Sequence, residues 1–97
     1  MERLGSQERL TATVEMLVAR PVEGMSNKAV AHGLSVTEAS ACRDLKVLES
    51  RGWIERANGR WRMSARFGGF AGTIMKGFQA AKLRLTEDEA RYASAMQ

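Results

Sequence analysis

Residues 34–63 read LSVTEASACRDLKVLESRGWIERANGRWRM. Ser35-Val36-Thr37-Glu38 has the spacing of a capping box: the Ser35 hydroxyl accepts from the amide three residues on, and Glu38 reaches back to the Ser35 amide. The spacing predicts a helix from there to Arg51, closed by Gly52. At about 100° per residue, Ala41, Leu45 and Leu48 share one side of that helix. Ala39, Arg43, Lys46 and Ser50 lie on the other, with Ser40 and Val47 flanking. Two alternating runs, Trp53–Ala57 and Arg60–Met63, then surround Asn58-Gly59, a pair suited to a type I′ turn. The turn sets the register: Ile54 opposite Met63, Glu55 opposite Arg62, Arg56 opposite Trp61, Ala57 opposite Arg60. Ile54, Trp61 and Met63 are therefore expected inward, Arg60 and Arg62 outward, with Arg56 extended past the Trp61 ring.

Upstream, residues 6–20 predict a helix with Ser6 as N-cap and Leu10, Val14, Leu17 and Val18 as its apolar stripe, stopped by Pro21 and Gly24. Met25 reads as a short extended residue before Ser26, the N-cap of a second helix over residues 27–32. His32-Gly33-Leu34 then reads as a turn, with Gly33 supplying a left-handed helix end. Downstream, Gly68-Gly69 reads as a turn. Phe70, Ile74, Phe78, Ala81 and Leu85 keep helical spacing, although Gly72 and Gly77 each cost about 1 kcal/mol of helix propensity relative to Ala. Thr86-Glu87-Asp88-Glu89 reads as a further capping box that opens a short last helix.

These elements make the fold class mainly α with a small β-hairpin. Helix, short strand, helix, turn, helix and hairpin is the order of a winged helix-turn-helix, here residues 1–66, with a C-terminal helical extension over 67–97 that either packs across the first helix or serves as a dimerisation segment. Residues 34–56 resemble the DNA-binding domain of DeoR-type regulators, through Val36, Glu38, Arg43, Asp44, Leu45, Leu48, Glu49, Arg51, Gly52, Ile54 and Arg56. Thr37 and Ser40 are Ser/Thr exchanges, and Cys42 departs from the pattern, standing where one of a pair of arginines would be. The hairpin and the residues after it, GRWRMSARFGGFAG, resemble IclR-type regulators, in which a wing runs directly into a helix. Both resemblances imply double-stranded DNA as the partner. The large sensor domain of those families has no counterpart in 97 residues, so no small-molecule effector domain is expected.

Charge agrees with that partner. Residues 1–50 carry six basic and seven acidic side chains, whereas residues 51–84 carry eight basic and only Glu55. The positive field is thus concentrated in one third of the chain, the footprint of a polyanion-binding surface. A helix in the major groove reads bases with residues near its N-terminus, on the face opposite its core stripe. Those are Val36, Thr37, Ala39, Ser40 and Arg43, with Lys46 one turn on. Arg43 is the candidate for guanine O6/N7, Ser40 and Thr37 for a base edge or phosphate, and Ala39 or Val36 for a thymine methyl. Arg56, Asn58, Arg60 and Arg62 supply the wing, for the minor groove or flanking phosphates, and Lys28 a backbone anchor. Arg62 has a competing partner in Glu55, and Glu38 reads as a cap rather than a base contact.

Other classes find less support. The chain has one cysteine and one histidine, so neither an internal disulfide nor a His-rich metal cluster is expected. No phosphate-binding glycine loop, metal-ligand spacing or nucleophile set is present, so no enzyme and no cofactor is expected. A thiol switch at Cys42 lacks a second cysteine. The N-terminus has no signal-peptide run and no segment spans a bilayer, giving a cytoplasmic expectation without membrane contact. A symmetric homodimer is the expected route to affinity, and the alternative function is a winged-helix protein-protein interaction module.

Overall fold

The computed structural model describes residues 4–97. The chain divides into two compact units, one ending at Phe67 and the other spanning Gly68–Gln97. The elements are α1 (Ser6–Val18), α2 (Asn27–Leu34), α3 (Glu38–Ser50), β1 (Ile54–Ala57), β2 (Arg60–Met63) and α4 (Ala65–Ala95). The architecture is mainly helical with one two-stranded antiparallel hairpin. No helix among the described residues is long and apolar enough to cross a membrane.

The core of the first unit is formed by Leu17, Val30, Ala31, Ala41, Leu45, Leu48, Ile54 and Trp61, with Met25 at its edge. On α1 the buried stripe runs through Leu10, Thr13, Val14 and Leu17, while Val18 is 49% exposed. The expected position for Val18 is thus taken by Thr13. Thr13 packs its methyl inward because its hydroxyl donates to the Arg9 carbonyl at 2.8 Å, leaving no polar atom unpaired. Gly5, not Ser6, caps α1, its carbonyl accepting from the Arg9 amide at 2.8 Å.

The α2–α3 junction differs most from the sequence expectation. Helix α2 runs through Gly33 to Leu34, and the left-handed residue is Ser35, with φ 55° and ψ 45°. The Val36 amide donates to the Ala31 carbonyl at 3.0 Å and the Ser35 amide to the His32 carbonyl at 3.2 Å. This nested pair is a Schellman closure, which calls for an apolar residue two positions past the helix end. Val36 fills that role and packs against the core. With Ser35 committed to the end of α2, the cap of α3 moves to Thr37, whose Oγ1 accepts from the Ser40 amide at 3.1 Å. The Ser35–Glu38 capping box does not form. A Cβ on Gly33 would meet the Met16 methyl at 2.4 Å, the far end of a flexible side chain that can move aside.

The hairpin has the expected register at all four pairs, Ile54↔Met63, Glu55↔Arg62, Arg56↔Trp61 and Ala57↔Arg60. Both turn residues have positive φ, 54° at Asn58 and 74° at Gly59, as a type I′ turn requires. Met25 extends the hairpin by one residue. Its amide and carbonyl each bond Trp61 at 2.8 Å, and the preceding Gly24 has φ 67°. A Cβ on Gly24 would sit 2.3 Å from the Trp61 carbonyl oxygen, whereas one on Gly59 would meet nothing within 4 Å. Gly59→Ala is therefore expected to cost only its backbone strain, about 1 kcal/mol. Gly24→Ala adds displacement of backbone from backbone and is expected to cost at least twice as much, about 2 kcal/mol or more. Urea unfolding of the two variants checks the ranking, and equal costs would contradict it.

Two long-range pairs tie these elements together. Arg9 on α1 grips Asp44 on α3 with both ends of the carboxylate, at 2.5 and 3.1 Å. That bond raises the Arg9 pKa above its ordinary value, the hydrogen bond it donates to Asp44 outweighing desolvation. Trp61 donates its indole N–H to Asn27 Oδ1 at 2.6 Å, fixing the hairpin against the start of α2.

Helix α4 is continuous from Ala65 to Ala95, so neither the Gly68-Gly69 turn nor a separate last helix forms. Ser64 caps its start, accepting from the Phe67 amide at 3.3 Å. The only proline is Pro21, so nothing forces a break, and the helix formers of Gln79–Leu85 carry the segment through. Thr86 bonds back to the Lys82 carbonyl at 3.0 Å instead of capping a new helix. No residue of α4 is buried.

Candidate nucleic-acid interface

Helix α3 presents two faces of different chemistry. Ala41, Asp44, Leu45 and Leu48 are buried, and Glu38, Ala39, Arg43, Lys46, Val47, Glu49 and Ser50 are exposed. The separation arises from the 3.6-residue period, because the inner positions recur at steps of three and four. The Arg9–Asp44 pair then fixes how α3 is held against α1. The outer face is thereby presented on a rigid element, a requirement for any contact that must distinguish one ligand geometry from another.

Three expected site residues form a connected chain on that face. The Thr37 hydroxyl donates to Ser40 Oγ at 3.0 Å, and an Arg43 Nη2 donates to the same oxygen at 3.2 Å. Thr37 is thus spent: its oxygen caps α3 and its proton goes to Ser40. Ser40, half-buried, accepts twice and keeps its own O–H for an outside acceptor. Arg43 commits one of its five N–H groups and keeps the rest of its planar fork outward. Ala39 and Lys46 lie exposed on either side. Val36 is half-buried and packs part of its side chain against the core beside the Schellman closure.

On the hairpin, Arg56, Asn58 and Arg60 are exposed. The Arg56 guanidinium lies over the Trp61 ring, 4.2 Å from its centroid. Such stacking uses the flat face of the cation and leaves its edge N–H donors outward, while the attraction, about 0.5–1 kcal/mol, limits its wandering. Arg62 is engaged: its Nη2 and Nε reach Glu55 Oε2 at 2.9 and 3.1 Å. Both side chains are about two-fifths exposed, at 39% and 41%, so water screens the pair and it contributes under about 1 kcal/mol.

Beside the hairpin, an open groove lined by Met16, Arg20, Met25, Ala29, His32 and Arg60 brings together two arginines, one just past α1 and one on β2. Arg20, which sequence reasoning passed over, pairs loosely with Glu23 at 3.6 Å. Lys28 is exposed in the first turn of α2, and His32 is exposed in its last turn. Asn27 was also missed. Only the buried indole N–H reveals its role, since a buried tryptophan needs an acceptor that linear sequence does not name. Trp53 is half-buried and packs on Phe67, with ring centroids 5.2 Å apart.

In comparisons with protein-family models, curated proteins and solved structures, the chain matches none.

Proposed function

We propose that the chain is a sequence-specific double-stranded DNA-binding protein, a small winged helix-turn-helix transcriptional regulator that acts as a cytoplasmic repressor without catalysis. The observation that carries this reading is the outer face of α3, where Ser40, Arg43 and Lys46 offer donors opposite a buried inner face of Ala41, Leu45, Leu48 and the ion-paired Asp44. Arg forks and hydroxyls of this kind match the acceptor edges of the major groove, guanine O6 and N7 first among them. The hairpin is the wing, and Arg56, Arg60 and the Asn58 tip meet the minor groove or phosphates. The resemblance of residues 34–56 to DeoR-type regulators, and of the hairpin to IclR-type regulators, supports the same assignment.

The test is a titration of a duplex of arbitrary sequence with the protein at two ionic strengths. Each phosphate neutralised adds about 0.9 to the slope of log K against log salt, so a steep fall between low and moderate salt is expected. Binding insensitive to salt, or absent at low salt, contradicts DNA as the ligand and favours the protein-docking alternative.

A second variant sharpens the assignment. Glu55→Ala removes the only acid of residues 51–84 and releases Arg62. It is expected to leave thermal stability within about 1 kcal/mol, as an exposed pair should. It is also expected to tighten low-salt DNA binding and to raise the salt slope by close to one contact. Unchanged affinity would remove Arg62 and Glu55 from the interface.

A further inference from the structure

Helix α4 carries an apolar repeat that calls for a partner. Ile74, Phe78, Ala81, Leu85, Asp88 and Tyr92 succeed one another at alternating steps of four and three. That is a heptad seam, with Phe78, Leu85 and Tyr92 at one core position and Ile74, Ala81 and Asp88 at the other. Its large members stand in solvent: Ile74 is 60% exposed, Phe78 68%, Leu85 69% and Tyr92 74%. A helix held by its own backbone bonds alone is marginal in water, and glycines weaken it further. An apolar stripe of this length on a chain of this size is therefore a contact surface.

We propose that α4 forms a parallel two-stranded coiled coil with α4 of a second copy of this chain. The charges beside the seam select this occupant and this direction. In a parallel pair, the position preceding one core layer faces the position five residues further on in the other helix. Arg84 then faces Glu89 of the second copy, and by symmetry the contact is made twice. Gly77 faces Lys82 of the second copy, so no like charges meet across the flanks. In the antiparallel register that packs Phe78 on Ala81, Arg84 faces Gly77 instead, and the Arg84–Glu89 match is lost. Asp88 is the one charge within the seam and faces Asp88 of the second copy, a like-charge layer that the ion pair of each with Arg91 on its own helix offsets only in part. A polar pair at one core layer fixes register in such assemblies at some cost in stability.

The proposal is independent of what the first unit binds, and its test involves no DNA. Sedimentation of the full chain is expected to give twice the 10.7 kDa of one copy. Arg84→Glu replaces two attractions by two repulsions and is expected to weaken the dimer about tenfold. Adding Glu89→Arg in the same chain is expected to restore it. Residues five apart do not face each other on one helix, so this rescue arises only between copies. With Cys42→Ser, Tyr92→Cys is expected to form a disulfide-linked dimer on mild oxidation. The antiparallel register would hold those two positions about 37 Å apart, at a rise of 1.5 Å per residue. A monomer at high concentration, any mass other than two copies, failure of the charge-reversal rescue, or no cross-link at residue 92 overturns the proposal.

Discussion

Trp61→Ala is expected to remove a large share of the first unit's stability. Three separate roles end with that ring. Trp61 is 3% exposed in the core, and truncating a buried aromatic costs about 3–5 kcal/mol. Its indole also supplies the bond that holds the hairpin to Asn27. Its outer face, finally, is the platform on which Arg56 lies. At about 0.05–0.15 kcal/mol per residue, a unit of this size has roughly 3–10 kcal/mol of stability in total, so the loss takes from about a third to all of it. Trp53 remains beside Phe67 as a fluorescence probe of the variant, and circular dichroism reports the helices. Trp61→Phe separates the roles, since it keeps most of the ring and loses the N–H. It is expected to cost nearer 1 kcal/mol from the hydrogen bond, plus a smaller packing loss. A midpoint for Trp61→Ala close to that of the unchanged protein would mean that the hairpin does not share the core.

Arg43→Ala is expected to leave stability within about 0.5 kcal/mol while abolishing sequence preference, because the side chain is exposed and its bond to Ser40 lies at the surface. A bidentate arginine–guanine contact is worth about 1–3 kcal/mol of discrimination, or roughly 5- to 150-fold at each half-site. In a two-fold dimer the free-energy loss is doubled. Arg43→Lys gives the more informative comparison. It keeps the charge and most of the salt dependence, yet it lacks the planar fork, so preference should fall while low-salt affinity persists. Lys46→Ala should do the reverse, weakening all duplexes alike and reducing the salt slope by about one contact.

The sequence carried some of this structure openly and hid the rest, and the division reflects the range of the interactions. Asn58-Gly59 determines the hairpin locally, because two successive positive φ angles leave one turn and one register, and all four pairs obey it. The faces of α3 were equally legible, since its buried Ala41, Leu45 and Leu48 keep the helical period over a single uninterrupted element. The α2–α3 junction was not. Gly33 and Ser35 both suit a helix end, and the left-handed turn falls at Ser35, where Val36 can close onto the core. That two-residue shift moved the cap to Thr37 and turned part of Val36 onto the core.

Pairs distant in sequence were illegible for a different reason. Arg9 meets Asp44 across 35 residues and Trp61 meets Asn27 across 34, and neither partner carries a local signal of the other. The last helices merged into one because Thr86 has two options, capping a new helix or bonding back within an old one. Strong helix formers on its N-terminal side decided for the second. Among candidate site residues, Arg62 divides in the same way: its type and strand position point outward, and its cross-strand neighbour Glu55 takes it.

Whether the outer face of α3 reads base sequence through Arg43 is decided by selecting bound duplexes from a random pool with the unchanged protein and with Arg43→Ala in parallel. The unchanged protein is expected to enrich an inverted repeat with guanine at a fixed position in each half-site, its half-sites about one helical turn apart, and the variant to lose that guanine preference. Enrichment of the same sequence by both proteins, or no enrichment by either, would contradict base reading through Arg43.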